Sequence, residues 1–150
     1  ELLHVWNNRA VDLPYRTPYQ LLIAASIIEA EAALPEERSL VSDVIVNRLH
    51  RNMYLQMDST VVYGIHQKLG YQPTKEQLKH DTIYNTYVHK GLPPTPIDMP
   101  SLAALVAAAH PAQTAYIYFV KSANHMRLVH HWLSITGRFI VCVSLKCASL

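Results

Sequence analysis

Cysteine is nearly absent from this chain: Cys142 and Cys147 are the only two, at a spacing that fits neither a CxxC pair nor a zinc site. No disulfide framework can be read from them, and they say nothing firm about compartment. Glycine is also scarce, with four residues in 150, while half the residues are apolar and 16% are charged. That balance excludes a disordered tract or a repeat array and favours one packed domain, long enough to bury a core without disulfides or a structural metal. Acids are missing from one end only. Residues 121–150 hold four Lys/Arg and no Asp/Glu, so the net charge of +2 comes from the tail. No run of Lys/Arg interleaved with aromatics occurs, which argues against a nucleic-acid partner. No apolar stretch is long enough to span a bilayer and no signal peptide is present, so any address or membrane anchor is expected to lie outside these residues. Nine histidines are present, yet no HExxH, HxH or paired Cys/His spacing accompanies them, so no metal or cofactor is expected.

The elements are legible in part. Thr17-Pro18-Tyr19-Gln20 predicts a helix start, with Thr17 as N-cap, Pro18 at the first helical position and Gln20 closing a capping box. This helix should run to about Ala33 with Leu21, Leu22, Ala25, Ile28 and Ala32 as its buried stripe. Pro35-Glu36-Glu37 opens a second helix, ending near Asn52, with Leu40, Val41, Val44, Ile45 and Leu49 inward. Residues 53–70 give no clear pattern. Thr74 to Gln77 form another capping box before a short polar helix, and Gly91 to Pro96 form an extended loop able to wall a cleft. Ser101 to Ala109 reads as an alanine-rich helix and Ala115 to Val120 as the best strand. The expected fold is a single α+β domain, dominated by helix, with a small β-sheet.

Few residues invite chemistry. Glu29 follows the apolar run Ile23 to Ile28, and a carboxylate beside a core face is costly unless it is used. At a cleft, partial desolvation would raise its pKa and hold the proton that a general acid needs. Glu31, at i+2, points away from Glu29 and is expected to be a solvated acid. Asp58, before Ser59 and Thr60, reads first as a turn or N-cap. Tyr84-Asn85-Thr86-Tyr87 combines ring faces with amide and hydroxyl groups, as sugar sites do, although such tyrosines also serve as packing.

Four ordered blocks together resemble the YceG-like (MltG) endolytic murein transglycosylases: DLPYRTPYQLLIAASIIEAEA, VIVNRLHRNMYLQMDSTVVYG, DTIYNTYVHKGLPPTPIDMP and AAAHPAQTAYIYFV. They span most of residues 12–120. The resemblance implies an enzyme that cuts the bond between N-acetylmuramic acid and N-acetylglucosamine in peptidoglycan, leaves 1,6-anhydro ends and terminates nascent strands. It implies peptidoglycan strands as substrate, peptidoglycan synthases as partners, and a catalytic domain facing the periplasm or outer cell surface. The membrane would be the bacterial inner membrane, reached only through a single N-terminal anchor in a longer protein. It places Glu29 at the first Glu of the A-S-I-[IV]-E-K-E-T helix, the catalytic position, and makes Asn47, Gln56, Asp58, Tyr84, Asn85, Thr86 and Tyr87 candidates for shaping the cleft. One carboxyl group that gives and then recovers a proton suits a transglycosylase, whereas a water-using glycosidase normally needs two.

The chain departs from the pattern at Ala30, Ala32 and Ser59, where the family has Lys, Thr and Pro, and more strongly after residue 125. A one-base shift applied to a back-translation from His130 can restore an L-x-x-H-N segment, so we read residues 125–150 as frame-shifted near 125–130 and expect a poorly packed tail or an added strand. The alternatives are a non-catalytic homologue that binds glycan or a synthase, and a two-carboxylate muramidase using Glu29 and Asp58.

Overall fold

The computed structural model describes residues 1–121 and 126–129. Helix α2 (Pro18–Glu31) starts as its sequence predicts: the Thr17 hydroxyl accepts from the Gln20 N–H at 3.2 Å, and Pro18 fills the first turn. The Gln20 side chain reaches one residue further back than a closed box requires, accepting from the Arg16 N–H at 2.7 Å. The helix is not a surface helix with one buried stripe. Ile23, Ala24, Ser26, Ile27 and Glu31 are buried along with Leu21, Ala25 and Ile28, while Leu22 and Ala32 are half-exposed. Contacts with α1 (Leu2–Asn7), α3 (Arg38–His50), α4 (Asp58–Gly64) and α5 (Leu102–Ala109) explain this, because α2 is the central helix.

A 3₁₀ turn at Pro35–Glu37 leads into α3. There the Glu37 carboxylate accepts from the N–H groups of Ala33 and Leu34, and Val41, Val44 and Ile45 are fully buried. Helix α4 fills part of the stretch that the sequence pattern leaves open. The Thr74–Gln77 box forms in both directions, Gln77 N–H to Thr74 Oγ1 at 3.3 Å and Thr74 N–H to Gln77 Oε1 at 2.9 Å, but supports only a 3₁₀ turn over Gln77–Lys79. Ser101 caps α5 through the Ala104 N–H at 3.2 Å.

Strands β1 (Tyr118–Lys121) and β2 (Met126–Val129) pair antiparallel, with Tyr118 opposite Val129 and Lys121 opposite Met126. The fold is thus α+β with helix dominant, and the strand expected from Ala115 begins three residues later. Residues 130–150, which carry most of the expected frame-shifted tail with Trp132 and Phe139, lie outside the described residues. Among the described residues no helix is long and apolar enough to cross a membrane.

Candidate active site

Three polar side chains on α2 are sent to three different places. Ser26 donates to the Ile23 carbonyl at 2.7 Å and accepts from the Ile97 N–H at 3.0 Å, pinning the loop before α5. Glu29 reaches the N-terminus of α5: Oε2 accepts from the Ser101 hydroxyl at 2.5 Å and its N–H at 3.0 Å, while Oε1 pairs with Arg38 at 3.3 Å. Both oxygens are occupied. The Ser101 hydroxyl, then its N–H and the Arg38 guanidinium, outweigh partial desolvation and hold the Glu29 pKa below the usual glutamate value. This reverses the expectation of a raised pKa, because the side chain gains a cation and two donors where an apolar cleft wall was expected.

Glu31 is the larger correction. It does point away from Glu29, but into the protein: its residue is only 5% exposed, against 22% for the Glu29 side chain. The solvated-acid reading assumed a surface helix, and α2 is central. One oxygen, Oε1, accepts from the Ser59 N–H in the first turn of α4 at 3.1 Å, while Oε2 makes no hydrogen bond among the described residues. This carboxylate is therefore hydrogen-bonded at one oxygen only.

Around it the chain folds back on itself. Gln56 donates its N–H to the Thr86 carbonyl at 3.1 Å, and Met57 donates its own to Thr86 Oγ1 at 3.0 Å. The Thr60 and Thr86 hydroxyls meet at 2.8 Å. Asn85, fully buried, donates to the carbonyls of Leu78 and His80 and accepts from the Tyr87 N–H. Asn85 and Thr86 thus hold the loop in shape. Tyr87, which they present, donates its hydroxyl to Asp58 Oδ1 at 2.5 Å. Burial, then Asp58, then the nearby charge of Glu31 push the Tyr87 pKa far up, with Arg48 opposing, so the phenol stays protonated and keeps donating. Asp58 is the first residue of α4, where a negative charge is favourable, but it does not cap the helix through its side chain.

Gln56 and Tyr87 line a cavity of about 370 Å³ with Lys75, Leu78, Lys79 and Val88. Two of the expected cleft residues stand elsewhere. Asn47 donates to the carbonyls of Thr114 and Tyr116, tying α3 to the segment before β1, and Tyr84 bonds Thr95 at 3.0 Å and packs edge-on against Tyr63. The Gly91–Pro94 loop does wall a cleft, of about 490 Å³ with Thr17, Tyr19 and Gln20, but none of the predicted site residues lines it.

Arg48 is a residue that the sequence reading missed. Only 1% exposed, it donates to the carbonyls of Ile117 at 2.6 Å, Leu55 at 2.6 Å and Tyr54 at 3.3 Å, and its guanidinium stands over the Tyr118 ring. A lone cation inside the apolar run from Val44 to Leu49 was the available signal.

Comparison with known proteins agrees with this architecture. An endolytic murein transglycosylase of Bacillus subtilis is 39% identical over 108 residues, which cover 71% of this chain and 29% of the relative. One from Streptococcus pneumoniae serotype 2 is 36% identical over 119 residues, covering 76% and 21%. The chain thus spans less than a third of the length of these curated relatives. The crystal structure of a YceG-like protein from Listeria monocytogenes matches with a TM-score of 0.73 at 32% identity, over 77% of this chain and 38% of that one. The model of the YceG-like family matches residues 2–134, and the chain belongs to that family.

Proposed function

We propose that this chain is the catalytic part of a murein lytic transglycosylase, with Glu31 as its acid and base. The carrying observation is the contrast between two carboxylates on one helix. Glu29 is ion-paired and capped at both oxygens, whereas Glu31 is buried with one oxygen free, beside the Asp58–Tyr87 pair. A general acid must present a proton to the leaving oxygen, which Glu31 can do without first breaking an ion pair. Protonated Glu31 gives its proton to the glycosidic oxygen as the bond from C1 of N-acetylmuramic acid breaks. The resulting carboxylate then takes the proton of the 6-hydroxyl as O6 bonds to C1, so the 1,6-anhydro ring closes and no water is consumed. The relatives' names support murein as substrate. Murein lies outside the cytoplasmic membrane, and we place the domain on that side, anchored by the longer protein and acting beside the synthases whose strands it ends.

Glu31→Gln is expected to lower turnover of purified murein by at least about 10²-fold with the fold intact. Glu29→Gln should leave turnover within tenfold of wild type. The reverse ranking, with both variants folded, would return the role to Glu29 as the family resemblance has it. One observation favours a second reading: Asp58 joins the Glu31 site through Tyr87, which offers a hydrolase its second carboxylate. Mass spectrometry separates the two, since hydrolysis leaves reducing ends heavier by one water than anhydro ends.

A further inference from the structure

The cavity beside the site has a cationic rim. Lys75 and Lys79 flank Gln56 and Tyr87, one on each side of the 3₁₀ turn's start, and both are exposed. Among the described residues neither lysine makes a salt bridge; the charged group facing them on their own turn is Glu76, whose pKa their charges help to lower. Asp58, which accepts from the Tyr87 hydroxyl, and Glu31 are not among the residues lining the cavity. Gln56 adds a second observation. Its backbone sits in the left-handed region, with φ of 51°, a costly conformation for a residue with a side chain. The bond from its N–H to the Thr86 carbonyl holds it there, and its carboxamide makes no hydrogen bond among the described residues. A strained residue thus presents an unpaired amide to the cavity beside a cationic rim.

Resting on the reading of this site as a murein site, we propose that Lys75, Lys79 and Gln56 form a carboxylate-binding subsite that sets the register of the glycan. The two sugars of murein alternate and only the muramic residue carries an acidic substituent. A sugar bearing a carboxylate is drawn to the lysines, and one without it gains nothing there. The carboxylate comes from one of two sources, the free lactyl group of a strand without peptides or the carboxyl groups of a peptide stem.

The test uses the non-cleaving Glu31→Gln chain, so that binding is read whether or not the wild type cuts. Affinity is measured for peptide-stripped murein fragments, for stem-bearing fragments, and for N-acetylglucosamine oligomers, which carry no carboxylate. Adding Lys75→Ala and Lys79→Ala, both at exposed positions, should weaken binding of a carboxylate-bearing ligand about tenfold, since each exposed pair contributes up to about fivefold. N-acetylglucosamine oligomers should be unaffected, and Arg at both positions should restore affinity. Loss on the stripped fragments alone assigns the lactyl group, loss on the stem-bearing ones alone assigns the stem, and loss on both assigns either carboxylate. Equal loss on all three ligands, no loss on any, or no binding of any by the parent chain overturns the subsite. Tight, lysine-dependent binding by a wild-type chain that cuts nothing would instead sink the catalytic reading and leave the subsite standing.

Discussion

Glu29 and Glu31 differ by two positions, and pattern alone ranks them in the opposite order from geometry. The inference that i+2 points away was sound. What failed was the assumption that the far side of α2 is solvent, because a single amphipathic stripe cannot reveal a helix packed on more than one face. Glu29 keeps a consequence of its own. Its pKa is depressed in the fold, chiefly by the Ser101 hydroxyl, so its stabilising contribution is present above the unfolded value near 4.5 and lost as pH falls through the lower folded value. Glu29→Gln should be about 1 kcal/mol less stable than wild type at pH 7, the worth of a typical hydrogen bond, and the gap should close toward pH 3. Urea midpoints for both proteins across that range would show it, and a gap that does not change with pH would refute the assignment. Tyr87→Phe removes only the hydroxyl given to Asp58, so it should depress murein turnover by tenfold or more while shifting the urea midpoint little. A matched loss of stability and turnover would make Tyr87 a packing residue.

Elements whose start signals precede an apolar run were the legible ones, whereas the polar stretch after the Thr74–Gln77 box forms only a 3₁₀ turn. The Thr17 cap, the Pro35 start and the Ser101 cap place α2, α3 and α5 to within a few residues. Helix α4 was not legible, because its N-cap is Met57, which offers no side-chain acceptor, and its partner is the carboxylate of Glu31 from far along the chain. Its far end shows the same dependence. Gly64 closes α4, and a Cβ there would stand 2.4 Å from Thr82 Oγ1 and 3.3 Å from Tyr84 Cβ. Thr82 opens the loop that carries Asn85, Thr86 and Tyr87, so Gly64→Ala must push that loop away from α4. The expected outcome is a cost of about 1–3 kcal/mol in denaturant unfolding, the range for overpacking, with turnover falling further than stability explains. A variant as stable and active as wild type would mean that the loop yields freely and does not depend on α4.

At the scale of the whole molecule, α2 works as a hub whose Ser26, Glu29 and Glu31 hold the loop before α5, the start of α5 with Arg38, and the start of α4. Such long-range links leave little trace in local pattern, and this is why the fold class and residues such as Gln56, Asp58 and Tyr87 could be read while the burial of Glu31 and the role of Arg48 could not. Arg48 is the second hub. It joins α3 to the chain at Tyr54 and Leu55, just before Gln56, and to Ile117, just before β1, so one side chain holds both the entry to the site and the hairpin. Burial opposes its charge and pulls its pKa below the usual arginine value, yet three carbonyls and the Tyr118 ring compensate. Arg48→Ala would leave those carbonyls without their donor and a cavity beside them. Leaving a buried acceptor without its donor typically costs about 1–3 kcal/mol, to which the cavity adds, a large share of the roughly 5–15 kcal/mol that holds a domain together. A fall in Tm of about 10 °C is therefore expected. Amide exchange should speed up at residues 54–56 and 117–121 together, since the same side chain anchors both. Faster exchange in one segment only, or a Tm within 2 °C of wild type, would show that the two are held independently and that Arg48 is not the joint between the site and the sheet.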